Sequence, residues 1–540
     1  MARKWFTLVV ACAATFMLLL DITIVTVALP DMQHALGASF SDLQWVTDAY
    51  ALTLAALLLT SGSLADRFGR RRLFLIGLGI FTAGSLLCGV AQDPLMLIAS
   101  RAVQGTGGAV MFATSLALIA ATFQGRERGI AFGVWGAVAG VATALGPILG
   151  GAITTGISWR GIFLVNLPIG VAAIAIAARR VDESRSPHAS RVDWPGAGTL
   201  TAGLFNLVYA LIRASDTAWS DRGVVICFVL AAVFLAAFLV VEAKVSEPMF
   251  DLSLLRTPTF LGGSIAAFAM NASLFAMFLY LVLYLQNQLG YSALGAGARL
   301  LVVSACSTVA ATVAGRLSSQ VPVRWLIGPG LVLVGAGLLL MMGLDAGSDW
   351  THLVPGFVVA GIGSGMVNPP LASTAVGVVP VHRSGMASGV NQTFRQVGIA
   401  VGIALYGSMF SSSLHSGLKD RLGSAPDLRG YTDRLADALH RGDPGQVIGS
   451  AAPQVRGRLW DAVGAGFASS LNGLLLASGM VAVIGGILAF ALIRSKDFVP
   501  LPAPGGPPAA PGGQLPGPGG PSGGGQRQPQ DANTPSASPS

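Results

Sequence analysis

The residues of this sequence that could do chemistry inside its long apolar runs are few. The chain has 540 residues, of which 25 are acidic and six are histidines. The six histidines fall between the apolar runs or, for His352, at the very edge of one, whereas Asp21, Asp48 and Arg101 lie within them. An ionisable group in such a run is costly to bury and is a functional hypothesis by default. We expect Arg101 to pair with ionised Asp21, directly or through Gln104, and Asp21 to carry a proton that breaks this pairing when it binds. Asp48 could attract cations or relay protons, or it could be a solvated carboxylate at the end of its run.

The composition explains why such residues are rare. Hydrophobic residues make up 53% of the chain and charged residues 11%, against about 25% charged residues in soluble domains. A soluble fold could not cover its surface with so few polar groups, which excludes an ordinary soluble enzyme, a disordered scaffold and a coiled coil. The net charge of +8 comes from short basic clusters between the runs. This pattern indicates membrane orientation rather than nucleic-acid binding, and predicts an all-α polytopic membrane protein.

Fourteen apolar runs have about the 20 residues that a membrane span needs. Arginine clusters follow runs 2, 4 and 6, whereas the loops near 31–43, 92–94 and 287–292 lack Lys and Arg. By the positive-inside rule both termini are then cytoplasmic, and the long segment 412–469 is an outer loop. The runs lie at 7–30, 44–64, 73–91, 95–121, 129–155, 161–179, 195–213, 223–243, 259–286, 293–315, 325–344, 352–379, 386–411 and 470–494.

An internal repeat divides these runs into two groups. Gly105-Thr-Gly resembles Gly361-Ile-Gly, and the segment beginning at Gly129 resembles the one at Gly385, both at a spacing of 256 residues. This spacing corresponds to eight runs, so the arithmetic favours six spans, two inserted spans and six more. We therefore predict an N-terminal half at 1–180, a linker with two inserted helices at 181–257, a C-terminal half at 258–496, and a disordered Pro/Gly-rich cytoplasmic tail at 497–540.

The loop after run 2 carries the first family resemblance. It reads Gly62-Ser-Leu-Ala-Asp66-Arg67-Phe-Gly69-Arg70-Arg71-Arg72, which resembles the G-x-L-a-D-r-x-G-r-r loop of the major facilitator superfamily. We expect its two glycines to permit close helix approach and a tight turn, and Asp66 to pair with an arginine or cap a helix. The alternative is a plain positive-inside cluster.

Two further motifs narrow the resemblance. Gly146-Pro147-Ile-Leu-Gly150-Gly151 is similar to a motif of the antiporter branches of that superfamily, although it could be only a packing kink. Leu20-Asp21-Ile-Thr-Ile-Val-Thr26-Val-Ala-Leu-Pro30 and Arg101-Ala-Val-Gln104-Gly105 resemble the fourteen-span drug:proton antiporters of the EmrB/QacA type, with Thr26 in place of the usual Asn. The resemblance runs from residue 1 to about 495. It implies the major facilitator fold, with two six-helix halves plus two inserted helices, and proton-driven efflux of small lipophilic drugs or antibiotics across the cytoplasmic membrane.

Candidate residues for the substrate cavity follow from helical spacing. Asn391 and Arg395 share one face of run 13, and Asn271, Phe275 and Phe278 form a stripe on run 9. The stripe could bind a lipophilic compound, or it could serve helix packing or lipid contact. Gln104 is the remaining candidate for this cavity.

Other activities lack a matching motif. The run Gly105-Thr-Gly-Gly108 has no following Lys, so ATP use is not supported, and the four cysteines lack metal-ligand spacing. We expect no cofactor and no metal, a monomer, and small-molecule substrate, protons and the lipid bilayer as partners. A lipid or metabolite transporter, an uptake symporter on the same fold, a non-transporting sensor and a multispan enzyme stay open as alternatives.

Overall fold

The computed structural model describes most of the chain as helices joined by short turns. The described residues are 3–123, 125–185, 192–217, 219–246, 248–318, 320–379, 384–423, 428–431, 434–435, 438 and 444–498. No β-strand occurs in these ranges. Most of the tail that the sequence predicts to be disordered, 499–540, lies outside the described residues.

The first six helices belong to the predicted N-terminal half. Local signals fix several of their starts: Ser39 and Asp42 form a capping box before α2, and Asp93 caps α4 with Pro94 in its first turn. The helices are α1 (Arg3–Leu36), α2 (Phe40–Phe68), α3 (Arg70–Gly89), α4 (Pro94–Thr122), α5 (Gly125–Gly156) and α6 (Gly161–Arg180).

The remaining long helices comprise a hairpin and a second group of six. The hairpin consists of α7 (Trp194–Asp216) and α8 (Arg222–Lys244). The second group is α9 (Pro258–Gln288), α10 (Ala293–Leu317), α11 (Arg324–Leu340), α12 (Val354–Gly377), α13 (Ser384–Gly423) and α14 (Pro453–Leu492). Helix α9 contains two π-helical turns, at Asn271–Phe275 and Tyr284–Gln288.

Each of the fourteen predicted runs overlaps one of these helices, but not every helix has the length and composition of a membrane span. Twelve helices in the described part of the chain do. Helix α5 adds a thirteenth if its segments Val134–Thr143 and Leu145–Gly156, which are bent by 45°, form one span. Pro147 explains the bend, because it has no N–H to donate to the carbonyl of Thr143. Helix α11, at Arg324–Leu340, is apolar but shorter.

The predicted outer loop 412–469 is shorter in the structure. Helix α13 continues to Gly423 and α14 begins at Pro453, and a short helix at Pro444–Ser450 precedes α14. Hydropathy marks only the part of a helix that suits lipid, whereas the backbone hydrogen bonds continue beyond it. The helices therefore extend past both predicted ends of this segment, and its position outside the membrane stays a prediction.

The two groups of six helices meet mainly where α2 packs against α13 and α5 against α10, and α1 also contacts α9 and α10. Gln286 donates to the carbonyl of Val27 at 2.7 Å, and the Thr393 hydroxyl to that of Ala55 at 3.4 Å. The hairpin packs through α7 against α2 and α13, the helices that form one of these seams. The hairpin therefore lies outside the contact between the two groups.

Candidate functional site: a buried ion pair between helices α1 and α4

The centre of the N-terminal group holds an ion pair that is sealed from solvent. Nη1 of Arg101 on α4 lies 2.5 Å from Oδ2 of Asp21 on α1, and the two side chains are 2% and 0% exposed. The Arg101 Nε donates to the carbonyl of Val46 at 3.0 Å, and the guanidinium lies 4.2 Å from the ring centroid of Tyr50. The buried cation is thus matched by a carboxylate, a carbonyl and an aromatic face.

Gln104 completes this pair. Its Nε2 donates to the second oxygen of Asp21 at 2.8 Å, and its Oε1 accepts from Nη1 of Arg101 at 2.7 Å. Arg101 therefore reaches Asp21 both directly and through Gln104. Each carboxylate oxygen of Asp21 accepts one hydrogen bond from a side chain that is held in place by further contacts.

Glycines on neighbouring helices bring these groups together. A Cβ added to Gly84 of α3 would lie 2.8 Å from the backbone of Gln104. A Cβ on Gly105 of α4 would lie 2.6 Å from the carbonyl of Tyr50 on α2. Because α4 is held against α2 and α3 in this way, the side chains of Arg101 and Gln104 are directed toward α1.

Asp48 is buried near the seam with the second group of helices. It is 0% exposed, and neither of its carboxylate oxygens has a hydrogen-bond partner among the described residues. One turn earlier on α2, Gln44 donates to the carbonyl of Ile403 on α13 at 3.3 Å. The structure therefore excludes the alternative of a solvated carboxylate for Asp48. It does not bring Asp48 into the Asp21–Arg101 contact.

The loop between α2 and α3 is held by a residue that the sequence did not indicate. Gly69 has a φ of 111°, which suits glycine. The carboxylate of Glu183, which follows α6, accepts from the backbone N–H groups of Arg71 at 3.0 Å and Arg72 at 3.1 Å. The Arg71 guanidinium also donates to the carbonyl of Ala178. A glutamate in a charged linker carries no pattern that predicts this cap of α3.

Among the other residues of this loop, only Gly62 departs from the expectation. The side chain of Asp66 lies outside what the structure describes, so its predicted pairing or capping stays a prediction. Gly62 faces open space, so the expected close helix approach does not occur there, whereas Gly69, with its positive φ, provides the expected tight turn beside the carboxylate of Glu183. Arg67 is exposed and lies over the ring of Phe68, and Arg70 at the start of α3 is half-buried.

The glycines of the α5 motif form two contact surfaces. An added Cβ would overlap the Thr23 hydroxyl from Gly146, and would lie 2.7 Å from the carbonyl of Ile24 from Gly150. Gly151 lies instead against Ala293 of α10, where an added Cβ would be 2.6 Å from the backbone carbonyl. Pro147 also faces α10, since its carbonyl lies against Gly297. The motif therefore joins α1 in one group of helices to α10 in the other.

The cavity candidates on α13 lie together. Arg395 donates through Nε to Asn391 at 3.4 Å and through Nη1 to Asn368 of α12 at 3.0 Å. Within the described ranges no carboxylate forms an ion pair with Arg395. Sequence reasoning missed Asn368, because nothing in its own helix distinguishes it from a packing residue.

The stripe on α9 is altered by a π-helical turn. Phe275 and Phe278 are half-buried and meet edge to face, with ring centroids 5.7 Å apart. Asn271 is buried and donates to the carbonyl of Ala267 in its own helix.

Among the described residues, no group of three or more His, Cys, Asp and Glu could hold a metal ion.

Comparison with known proteins finds one superfamily and relatives that are named for drug or antibiotic resistance. Residues 11–403 match the description of the Major Facilitator Superfamily. The chain is 34% identical over 423 residues to the Multidrug resistance protein Stp of Mycobacterium tuberculosis (strain CDC 1551 / Oshkosh), covering 78% of this chain and 79% of that protein. It is 36% identical to the Puromycin resistance protein pur8 of Streptomyces alboniger, covering 81% and 89% of the two chains.

A solved structure supports the same fold. A bacterial homologue of the human lysosomal transporter Spinster, described as inward-facing and unoccupied, superimposes with a TM-score of 0.61 at 18% sequence identity. The match covers 92% of this chain and 99% of that one.

Proposed function

The chain belongs to the major facilitator superfamily, and we propose that it exports small lipophilic drugs or antibiotics across the cytoplasmic membrane in exchange for protons. It is a transporter and not an enzyme. The printed names of its relatives, which describe multidrug resistance and puromycin resistance, support the substrate class. We infer export from these resistance names, and we infer proton coupling from the family and from the buried Asp21.

The observation that carries the proposal is the sealed contact of Asp21 with Arg101 and Gln104. In the ionised state Asp21 accepts from both neighbours. A proton on Asp21 removes the charge that holds Arg101 and converts one acceptor oxygen into a donor. Helix α1 can then move relative to α4, and binding or release of the proton biases the two access states. Asp48 would serve as a second proton site, because its carboxyl is buried and accepts from no described donor.

The motifs at either end of the N-terminal group would govern the conformational change. In this proposal the 62–72 loop, which Glu183 holds at the start of α3, stabilises one of the two access states at the cytoplasmic side. The α5 glycines provide the close contact surface along which α1 and α10 move. The fourteen-span topology of the EmrB/QacA type, with both termini cytoplasmic, belongs to the same proposal. It requires that bent α5 and the shorter α11 each cross the membrane once.

The substrate cavity would lie between the two groups of helices, lined by Asn271, Phe275, Phe278, Asn391 and Arg395. Gln104, the other candidate from the sequence, is instead fully buried in the contact with Asp21 and Arg101. Arg395 has two amide oxygens as partners and no described carboxylate. A cation in this position disfavours cationic compounds and favours those with an anionic or strongly electronegative group. The half-buried phenylalanines of α9 would supply the apolar wall.

Transport by inverted membrane vesicles tests this function. Vesicles that contain the protein are energised to an acidic interior and given either a fluorescent lipophilic cation or a fluorescent lipophilic anion. We expect substrate-dependent dissipation of the pH gradient, absent from vesicles without the protein, and a loss of anion transport in Arg395→Gln. Failure of both dyes and of puromycin to dissipate the gradient would contradict the proposal.

A further inference from the structure

The hydroxyl of Ser85 on α3 has every hydrogen-bonding position filled. It donates to the carbonyl of Phe163 at 2.9 Å. It accepts from Nε2 of Gln104 at 3.2 Å and from Nδ2 of Asn166 at 3.0 Å. A hydroxyl has one donor and two acceptor positions. Since its single proton points to a carbonyl, Ser85 presents only lone pairs to the two amides.

This arrangement determines which way the Gln104 amide faces. The two protons of its Nε2 go to Asp21 and Ser85, and its Oε1 accepts from Arg101 and from the Cys88 thiol, whose sulfur is 3.6 Å away. If the amide turned over, its oxygen would face the carboxylate of Asp21 and the lone pairs of Ser85. Two repulsive contacts would then replace two hydrogen bonds.

We propose that Ser85, fixed by Phe163 and Asn166, is a positioning residue that holds the Gln104 amide as a donor to Asp21 and thereby sets the pH at which Asp21 releases its proton. The inference rests on the proposed function, because it assigns Ser85 a part in the proton cycle of Asp21. Ser85 itself does not touch Asp21. Its influence passes through one amide group.

The other groups around Asp21 do not compete with this assignment. The titratable groups that face Asp21 are Arg101 on α4, Tyr50 on α2 and Cys88 on α3. Residues 134–156 of α5 and 161–178 of α6 contain no acidic, basic, Cys or Tyr residue. Tyr280 and Arg299, on α9 and α10, make no contact with Asp21 in the described structure. A change at Ser85 therefore acts on Asp21 through Gln104.

The test measures the protonation of Asp21 directly. Infrared difference titration of the purified full chain in detergent, with the spectrum of Asp21→Asn subtracted, isolates the carboxyl band of Asp21. In Ser85→Ala, Gln104 keeps its contacts with Asp21 and Arg101 but loses the acceptor for its second amide proton, so its donation to Asp21 is held less firmly and the titration midpoint should rise by up to about one pH unit. Ser85→Cys, which keeps the volume but weakens the acceptor, should shift it in the same direction, and Ser85→Thr should restore it. The cysteine variant carries the test if the alanine variant does not insert.

Two controls separate positioning from a general structural effect. Ser115 on α4 is also buried, and its hydroxyl donates only to the carbonyl of Met111 in its own helix. Ser115→Ala should leave the midpoint unchanged. In a Gln104→Ala background, Ser85→Ala should produce no further shift, because the amide through which it acts is gone. An unchanged midpoint in Ser85→Ala, or an equal shift in the presence and absence of Gln104, would overturn the inference.

The readout also separates this inference from the proposed function. The infrared titration needs no transport, so a shift in Ser85→Ala with no drug:proton exchange by the wild type would uphold the inference and overturn the function. Exchange by the wild type with an unmoved midpoint in Ser85→Ala would do the reverse.

Discussion

Gly146 of α5 lies directly against Thr23 of α1, two residues after Asp21. The Thr23 hydroxyl, which donates to the carbonyl of Leu20 at 3.1 Å, occupies the space that a side chain at position 146 would need. Helix α1 therefore contacts α4 through the Asp21 ion pair, and it contacts α5 through the glycines Gly146 and Gly150. In the proposed mechanism, a shift of α1 that follows protonation of Asp21 would be transmitted to α5, and from Gly151 to α10.

Substitution of Gly146 should disrupt the contact between α5 and Thr23 of α1. In Gly146→Ala the added methyl overlaps Thr23, and relief of such overpacking costs about 1–3 kcal/mol. We expect exchange to fall about ten-fold or more and the thermal unfolding midpoint to decrease. Gly136→Ala, on the same helix, is the matched control, because no atom lies within 4 Å of the added Cβ. Equal activity of the two variants would contradict the role of this contact.

Lysine should not replace Arg101. Lysine retains the positive charge but lacks the planar fork through which Arg101 contacts Asp21, Gln104 and the carbonyl of Val46. We expect Arg101→Lys to lose at least about ten-fold in exchange rate while it inserts normally. Arg222→Lys, at an exposed helix start, serves as the control. Wild-type exchange by Arg101→Lys would show that charge alone suffices.

The sequence predicted the helices and the ionisable residues better than it predicted their partners. Rarity made Asp21 and Arg101 recognisable, since few charged residues lie in apolar runs. Ser85 and Glu183 could not be found in this way. A serine in a membrane helix is common, and a glutamate in a charged linker resembles any other, so only the packing of α3 against α4 and α6 reveals their contacts. The π-helical turn at Asn271–Phe275 was likewise invisible to a spacing argument that assumes 3.6 residues per turn.

Replacement by asparagine should reduce the stability at Asp42 and the proton coupling at Asp48. Asp42 accepts from the Ser39 N–H at 2.8 Å in the capping box of α2, so Asp42→Asn should lower the free energy of unfolding by about 1 kcal/mol and leave exchange intact. Asp48 accepts from no described donor, so Asp48→Asn should not lower the stability. It should reduce the number of protons moved per drug. Both are measured as thermal unfolding midpoints and as proton-to-drug ratios. An unchanged ratio in Asp48→Asn would restrict the proton cycle to Asp21.

A second pair of carboxyl groups predicts a stabilising substitution. Glu242 of α8 and Asp193 before α7 are buried, and each has one oxygen without a described partner, while both side chains have an oxygen under 3.0 Å from the Cβ position of Gly196. The other oxygen of Glu242 accepts from the N–H of Phe250 at 3.1 Å. In Glu242→Gln the new amide can donate to Asp193 while this bond is kept, so the free energy of unfolding should rise by about 1 kcal/mol.

This gain should increase between pH 6 and pH 9, because two neighbouring carboxylates repel each other once both are ionised. Thermal unfolding in detergent across that range measures it. Glu242→Ala is the comparison, and it should be less stable than the wild type, since it leaves the Phe250 N–H unpaired. A lower midpoint for Glu242→Gln than for the wild type at pH 9 would contradict this interpretation of the pair.

The most direct test of the central claim compares two modes of transport in Asp21→Asn. Asparagine keeps the size of the side chain and can still accept from Arg101, but it cannot carry a proton. In proteoliposomes we expect the variant to retain drug–drug counterflow, which moves no net proton, and to lose drug accumulation driven by a pH gradient. Accumulation at the wild-type rate in Asp21→Asn would contradict the assignment of the coupled proton to Asp21.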